Sequence, residues 1–378
     1  MKILSIGSDR KIFESKSGVR ARIVEYGTLV DELHVIVFSK KSAGFSKQKI
    51  SDNVWLYPTN STNRWMYIFN AIKIGKNINN IDIVTTQDPF ETGFVGWYIA
   101  KARACGARLQ LQIHTDFLSP YFSKGSILNK IRARIAKFLL PKADCVRVVS
   151  KHIADSIKSA DIKLKVEPQV LPIFVDVNLI RKYKPFPVLN KLREKFDTII
   201  LMVSRLEKEK NISLALSILK KVVYKYPKTG LIVIGEGSLL SELREHAINL
   251  SLQNNVIFEG GNSDVLSFYK SADVFIHTSN YEGYGLVLVE AAASDCPVVT
   301  TDVGIASEYF KDTESAHICG VGNVDCLSTR LIKIIENKEF AGNFALKAQN
   351  AIEERIRERT KQQYLLRYKQ LWEECLKN

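Results

Sequence analysis

Short apolar runs rich in β-branched residues alternate with longer helical patterns along this chain, and the alternation runs through twice. The first series is Ile3 to Ile6, His34 to Phe38, Val54 to Tyr57, Ile81 to Thr85, Leu109 to Ile113 and Cys145 to Val149. The second is Thr198 to Val203, Leu231 to Ile234, Val256 to Phe258, Val274 to His277 and Pro297 to Thr300. Such a rhythm predicts α/β architecture with parallel sheets, each strand returned by a crossover helix. Between the series, Leu171 to Phe196 carries Pro172, Pro185 and Pro187 among mixed polar residues and reads as a joint between two domains. The expected domains are residues 1–175 and 176–351. The closing pattern, Phe344 to Leu376, is helical throughout and keeps Tyr364, Leu365, Tyr368, Leu371 and Trp372 on one side, so it has to pack on something.

The chain has 378 residues, enough for two domains at roughly 100 to 200 residues each, and 46% hydrophobic residues supply full cores. Net charge is +14, and it is unevenly placed: residues 1–180 hold 27 basic and 15 acidic side chains, residues 181–378 hold 27 and 25. The excess in the first half favours an acidic partner. Nucleic acid is a poor fit, for there is no arginine-rich tract, zinc-finger spacing or aromatic RNA-binding motif. Six cysteines, at 105, 145, 296, 319, 326 and 375, form no Cys-x-x-Cys pair and read as reduced, mostly buried thiols; no metal cage is expected. The apolar run Gly93 to Ala100, ended by Lys101 and Arg103, is far short of the about 20 residues a spanning helix needs. The opening residues lack a signal-peptide core, so a cytoplasmic location is expected.

Doubly wound sheets bind ligands beyond the carboxyl ends of their strands, so the chemistry is sought in post-strand loops, with substrate expected in a cleft between the domains. After Thr198 to Val203, Arg205 and Lys210 stand before a helical pattern; cations at a helix entrance ask for an anion such as phosphate, or for neighbouring carboxylates. Gly235-Glu236-Gly237 follows the next strand and lets backbone approach a ligand, or merely closes a turn. The richest stretch is Thr278 to Ala293. It places Glu282 before a glycine-flanked turn, the amides of Tyr284, Gly285 and Leu286 at a helix start, and Glu290 inside an almost wholly apolar helix. A carboxylate there needs a partner: ligand hydroxyls, or a structural bond to a lysine or a backbone amide. In the first half, strand ends deliver His114, Asp116 and Asp88, where a lone histidine serves either a site or the structure, and Gly18 lies in the long stretch after the first strand, which either gives its amide to a phosphate or is an ordinary flexible loop.

Arg205 and Lys210, then Glu282-Gly283-Tyr284-Gly285-Leu286 and Glu290, continued by AAASDCPVVTTDVG from Ala291 to Gly304, resemble a retaining nucleotide-sugar glycosyltransferase of the GT-B fold, glycosyltransferase family 4. The resemblance implies two Rossmann-like doubly wound domains facing a central cleft, with the helix at 352–378 returning to the first. It implies a nucleotide-sugar donor, expected to be a UDP- or GDP-sugar, with Arg205 and Lys210 on its diphosphate, where Gly18 and the amides of Tyr284, Gly285 and Leu286 read from the pattern above are also expected. Glu282 would hold the sugar and Glu290 the ribose; by position along the chain, Gly235 and Phe258 are also expected on the nucleoside side. Glu282 and His114 become the catalytic candidates, and Asp88 and Asp116 lie on the acceptor side. No metal or other cofactor is expected, since the chain has no Asp-x-Asp. Transfer would go to a glycan or lipid-linked acceptor in cell-envelope or polysaccharide synthesis. The chain departs from the family pattern at Ile305, where many relatives have a second glycine, and at Ile173 to Asp176, which lacks the usual Asn-Gly.

The segment Ser126 to Leu140 gathers Ile127, Leu128, Ile131, Ile135, Phe138 and Leu139 on one helical face, with Lys130, Arg134 and Lys137 away from it. It suits either a helix resting on an anionic leaflet, which would put the protein on the inner face of a membrane, or an ordinary outer helix of a doubly wound domain. Other readings of the whole chain are a nucleotide-sugar epimerase of similar fold and a non-catalytic nucleotide- or sugar-binding protein.

Overall fold

A computed structural model describes residues 1–102, 106–185, 190–262, 264–356 and 360–377. Cys105, Arg103 and Pro187 lie outside the described residues. The chain forms two compact units, one of residues 1–172 with 360–378 and one of residues 173–359.

The first unit carries strands β1 (Lys2–Gly7), β2 (Glu32–Val37), β3 (Gln48–Ser51), β4 (Val54–Pro58), β5 (Ile83–Thr86), β6 (Arg108–Ile113), β7 (Cys145–Val148) and β8 (Gln169–Val170). They form one sheet in the order β3-β4-β2-β1-β5-β6-β7-β8, and only β3 runs antiparallel to its neighbour. Central strands such as β1 are buried along nearly their whole length, as a sheet covered on both faces requires. The short strands β3 and β8 add edges that apolar patterning does not reveal.

The second unit has β9 (Thr198–Val203), β10 (Thr229–Ile234), β11 (Val256–Gly260), β12 (Val274–His277), β13 (Val298–Thr301) and β14 (His317–Cys319), all parallel, ordered β11-β10-β9-β12-β13-β14. The strand order reverses between β9 and β12, so the loops that follow those two strands part to opposite sides and leave a crevice at the switch point. A core of Leu216, Ile218, Val233, Ile276 and Leu331 packs the helix Ile212–Lys225 onto this sheet.

Three expectations are corrected. The stretch Leu171 to Phe196 is not a plain joint, since it holds the helices Val177–Lys182 and Asn190–Lys195 of the second unit. The closing pattern is two helices, Lys338–Ile356 in the second unit and Lys361–Lys377 in the first. Four of the cysteines are not reduced thiols: Cys145 bonds Cys375, with Cα atoms 5.6 Å apart, and Cys319 bonds Cys326 at 6.0 Å. Linear spacing hides both pairs, because the first is closed by a helix returning from 230 residues away. Cys296 is a buried thiol.

Candidate active site

The loops after β9 and β12 are bolted together across the switch point of the second sheet. Asn280 donates its amide to the Glu209 carbonyl at 2.7 Å, and the Thr278 hydroxyl donates to the carbonyls of Lys210 and Asn211, each at 3.0 Å. Asn211, in the left-handed conformation at φ 48°, ends the turn and starts the helix Ile212–Lys225. The loop after β13 closes on the same group: Ile305 donates its amide to the Tyr284 carbonyl at 2.9 Å. Gly304, at φ +59°, approaches that carbonyl so closely that a Cβ would stand 2.4 Å from it.

This frame holds Glu282. Its Oε1 receives Lys210 Nζ at 2.5 Å, the Ser279 hydroxyl at 2.8 Å and His277 Nε2 at 3.1 Å. His277 ends β12, and its Nδ1 lies 3.0 Å from the Thr300 hydroxyl, on the side of the ring away from Glu282. Burial by itself would raise the Glu282 pKa, but the His277 hydrogen bond and the Lys210 charge reverse this and lower it to about 2. All three donors converge on one oxygen. Among the described residues Oε2 has no protein partner, so this fixed carboxylate keeps an acceptor for something else. Sequence reasoning missed His277, Ser279 and Thr300; the only signal was a polar His-Thr-Ser run at the end of an apolar strand.

The other candidates of the second unit fare unevenly. Arg205 is 71% exposed and pairs with Glu209 at 2.7 Å, so with Lys210 on Glu282 both cations have carboxylate partners within the protein. Gly235, at φ +139°, lies against Ser204, whose carbonyl oxygen would be 1.9 Å from a Cβ. The Gly235 loop and the Arg205 loop are joined by the Leu206 amide, which donates to the Glu236 carbonyl at 2.9 Å. Phe258, on β11, packs partly against the core. Tyr284 is buried with its hydroxyl 3.2 Å from that of Tyr309, Gly285 is the left-handed N-cap of the helix Leu286–Ala293, and Leu286 is that helix's first residue. Among the described residues Glu290 is partnered by neither a lysine nor a backbone amide: the Tyr269 hydroxyl donates to its Oε2 at 3.1 Å, while burial raises its pKa.

In the first unit, His114 follows β6 and is exposed. Its Nε2 lies 3.3 Å from Gln112 Oε1, which also accepts from Arg147 at 2.6 Å. Because guanidinium only donates, that oxygen is an acceptor for both, and the His114 proton sits on Nε2. The surrounding protein and then the charges of Arg147 and Arg22 depress the His114 pKa, so the ring is neutral at pH 7. Asp88 has one oxygen committed to the Phe90 amide at 2.8 Å, and burial raises its pKa to about 6. Asp116 is buried against His152 at 3.2 Å. Gly18 begins the helix Gly18–Gly27 and has open space where a Cβ would stand.

Two family models match the chain: "Glycosyltransferase Family 4" over residues 27–179 and "Glycosyl transferases group 1" over residues 190–357. The chain belongs to the family 4 glycosyltransferases, enzymes of the GT-B fold. The model over the second unit of this glycosyltransferase contains Lys210, His277 and Glu282, and the model over the first contains His114. Alpha-monoglucosyldiacylglycerol synthase of Streptococcus pneumoniae is 32% identical over 244 residues, 61% of this chain and 53% of that protein. The Campylobacter jejuni enzyme named N-acetylgalactosamine-N,N'-diacetylbacillosaminyl-diphospho-undecaprenol 4-alpha-N-acetylgalactosaminyltransferase is 28% identical over 66% of this chain and 67% of its own. The chain thus spans about half the length of the first of these relatives. The crystal structure of Anabaena HepE in complex with UDP-glucose shares the fold, with a TM-score of 0.74 and 21% identity over 100% of this chain and 99% of that one.

Proposed function

We propose that this glycosyltransferase moves a hexose, with retention at the anomeric carbon, from a UDP- or GDP-sugar to a glycan or lipid-linked acceptor of cell-envelope or polysaccharide synthesis. In this reading it works at the inner face of the membrane and uses no metal. The observation that carries it is the Glu282 carboxylate, charged and held through one oxygen by Lys210, Ser279 and His277 while the other oxygen stays open. A fixed charged acceptor beside a lysine suits a ligand that brings hydroxyl donors and a diphosphate together, which is what a nucleotide sugar offers. Lys210, Arg205 and the amides of Gly285 and Leu286 would meet the charge that grows on the leaving diphosphate, and no protein nucleophile is required if that phosphate takes the acceptor proton. Glu290, Gly235 and Phe258 are assigned to the nucleoside side, and His114 is the first unit's catalytic candidate. The names of both relatives describe alpha-linked sugars on lipid-bound acceptors, which favours a lipid-linked acceptor here.

The test is a panel of UDP-, GDP- and ADP-sugars with and without candidate acceptors, in the presence of EDTA, following nucleoside diphosphate release and the anomeric configuration of the product. Acceptor-dependent release with the donor's configuration preserved is expected. An inverted product, a dependence on metal, or a wild-type rate in Glu282→Gln would overturn the reading.

A further inference from the structure

The helix Ile127–Leu139 is turned opposite to an ordinary sheet-covering helix. It buries small residues, Ala133 and Ala136, together with Leu139. Its larger apolar side chains point out: Ile127 is 77% exposed, Phe138 48%, and Leu128 and Ile131 46% each. At about 100° per residue, Ile127, Ile131 and Phe138 share one narrow stripe, with Lys130, Arg134 and Lys137 exposed along its edge. The core therefore does not account for the amphipathic pattern.

The neighbouring helices continue this surface. Trp97, in the helix Glu91–Lys101, sets its ring edge against Phe138 at 5.5 Å. Lysines lie over the exposed Phe138 and Tyr98 rings and the half-buried Trp97: Lys142 stands 3.9 Å from the Phe138 ring, Lys101 5.3 Å from Trp97 and Lys76 4.9 Å from Tyr98. In the helix Met66–Lys76, Phe69 is 65% exposed. Aromatic rings beside lysines with long aliphatic stems match the chemistry of a bilayer's headgroup region, where rings sit at the boundary and ammonium groups reach anionic lipid.

We propose that these three helices form a docking face for an anionic lipid bilayer, with the exposed stripe of Ile127–Leu139 entering the headgroup layer. Charge complementarity selects that occupant over a second copy of the chain, because residues 1–180 carry 27 basic against 15 acidic side chains and would repel their like. No helix among the described residues is long and apolar enough to cross a membrane, so the contact lies in the interface plane. The inference deepens the proposed function by naming the surface that meets a lipid-linked acceptor.

The experiment uses the full chain with vesicles of phosphatidylglycerol and phosphatidylcholine, or phosphatidylcholine alone, measuring co-sedimentation and, in a Trp65→Phe background because Trp65 is 82% exposed at the start of the helix Met66–Lys76, quenching of Trp97 by brominated lipid, with Trp65→Phe/Trp97→Phe as the control. Strong binding to the anionic vesicles and quenching that disappears in the control are expected. Lys130→Glu/Arg134→Glu/Lys137→Glu should weaken binding by about 100-fold, each basic residue being worth about fivefold. Ile127→Ser/Ile131→Ser should abolish quenching while retaining salt-sensitive attachment. Equal binding to neutral and anionic vesicles, unchanged binding in both variants, or a wild-type dimer that these variants dissociate would overturn the proposal. Nucleoside diphosphate release from the donor, measured on the same variants without vesicles, separates the two ideas: turnover without membrane binding sinks only the docking face, and membrane binding without turnover sinks only the transferase reading.

Discussion

Glu282 shows how much one carboxylate depends on partners far away in sequence. Its cation comes from the loop after β9 and its imidazole from the end of β12, and the imidazole is oriented by Thr300 on β13. With a folded pKa of about 2 against an ordinary 4.5, its ionised form stabilises the fold above about pH 4.5, and that contribution is lost as pH falls from about 4.5 towards 2. The shift corresponds to about 3 kcal/mol. Glu282→Gln should therefore be less stable than wild type at pH 7, because Lys210 is left as an uncompensated buried charge, and the gap should close as pH drops towards 3. Denaturant unfolding of the second unit across that range is the measurement; a gap independent of pH would rule out the charge pairing as its cause. Lys210→Ala is expected to cut transfer by about 10²- to 10³-fold, as measured by kcat. Glu282 and Lys210 were legible because charged residues beside glycine-flanked, post-strand turns stand out in a line of text. His277 was not, since a histidine closing an apolar strand looks like core until the fold sets Glu282 and Thr300 on its two nitrogens.

At the scale of elements, both strand series were legible because parallel strands are buried on both faces and read as continuous apolar runs. The short strands β3, β8 and β14 escaped, being too brief for any period. The orientation of Ile127–Leu139 escaped for another reason: periodicity defines an apolar stripe but not what the stripe faces, and here alanines take the inward side. The glycines divide by the same logic. Gly235 and Gly18 both follow strand ends in the sequence, yet only the first is sterically required. Gly235→Ala drives a Cβ into the Ser204 carbonyl at a φ of +139°, so it should destabilise the second unit by more than about 1 kcal/mol and weaken donor binding by displacing the Arg205 loop. Gly18→Ala meets open space at the start of a helix and should be neutral or stabilise by about 0.4 to 1 kcal/mol. Thermal melts and donor titrations of the pair check this. Equal stability in the two variants would contradict the packing account, and lost donor binding in a stable Gly18→Ala would place that glycine against the ligand.

At the scale of the whole molecule, the chain completes its first unit with its last helix, and the consequences reach the middle of the β-sheet. Lys361–Lys377 buries Tyr368, Leu371 and Trp372, and the indole of Trp372 donates to Gln110 on β6 at 3.1 Å. The Tyr368 ring lies 4.6 Å from the buried Arg147 guanidinium, which has no carboxylate partner among the described residues; hydroxyls, a glutamine and a carbonyl take its hydrogen bonds instead. An uncompensated cation in a protein interior is tolerable only while those acceptors stay in place. Trp372→Ala removes the largest of the buried side chains and should cost about 3 to 5 kcal/mol. Two units with separate cores need not melt together, so the loss belongs to one of them. Calorimetry should show the first unit's transition moving to lower temperature, while the transition that a nucleotide sugar raises, assigned to the second unit, stays where it is. If Trp372→Ala shifted both transitions equally, the returning helix would be stabilising the molecule as one cooperative body and the division into two independent cores would fail.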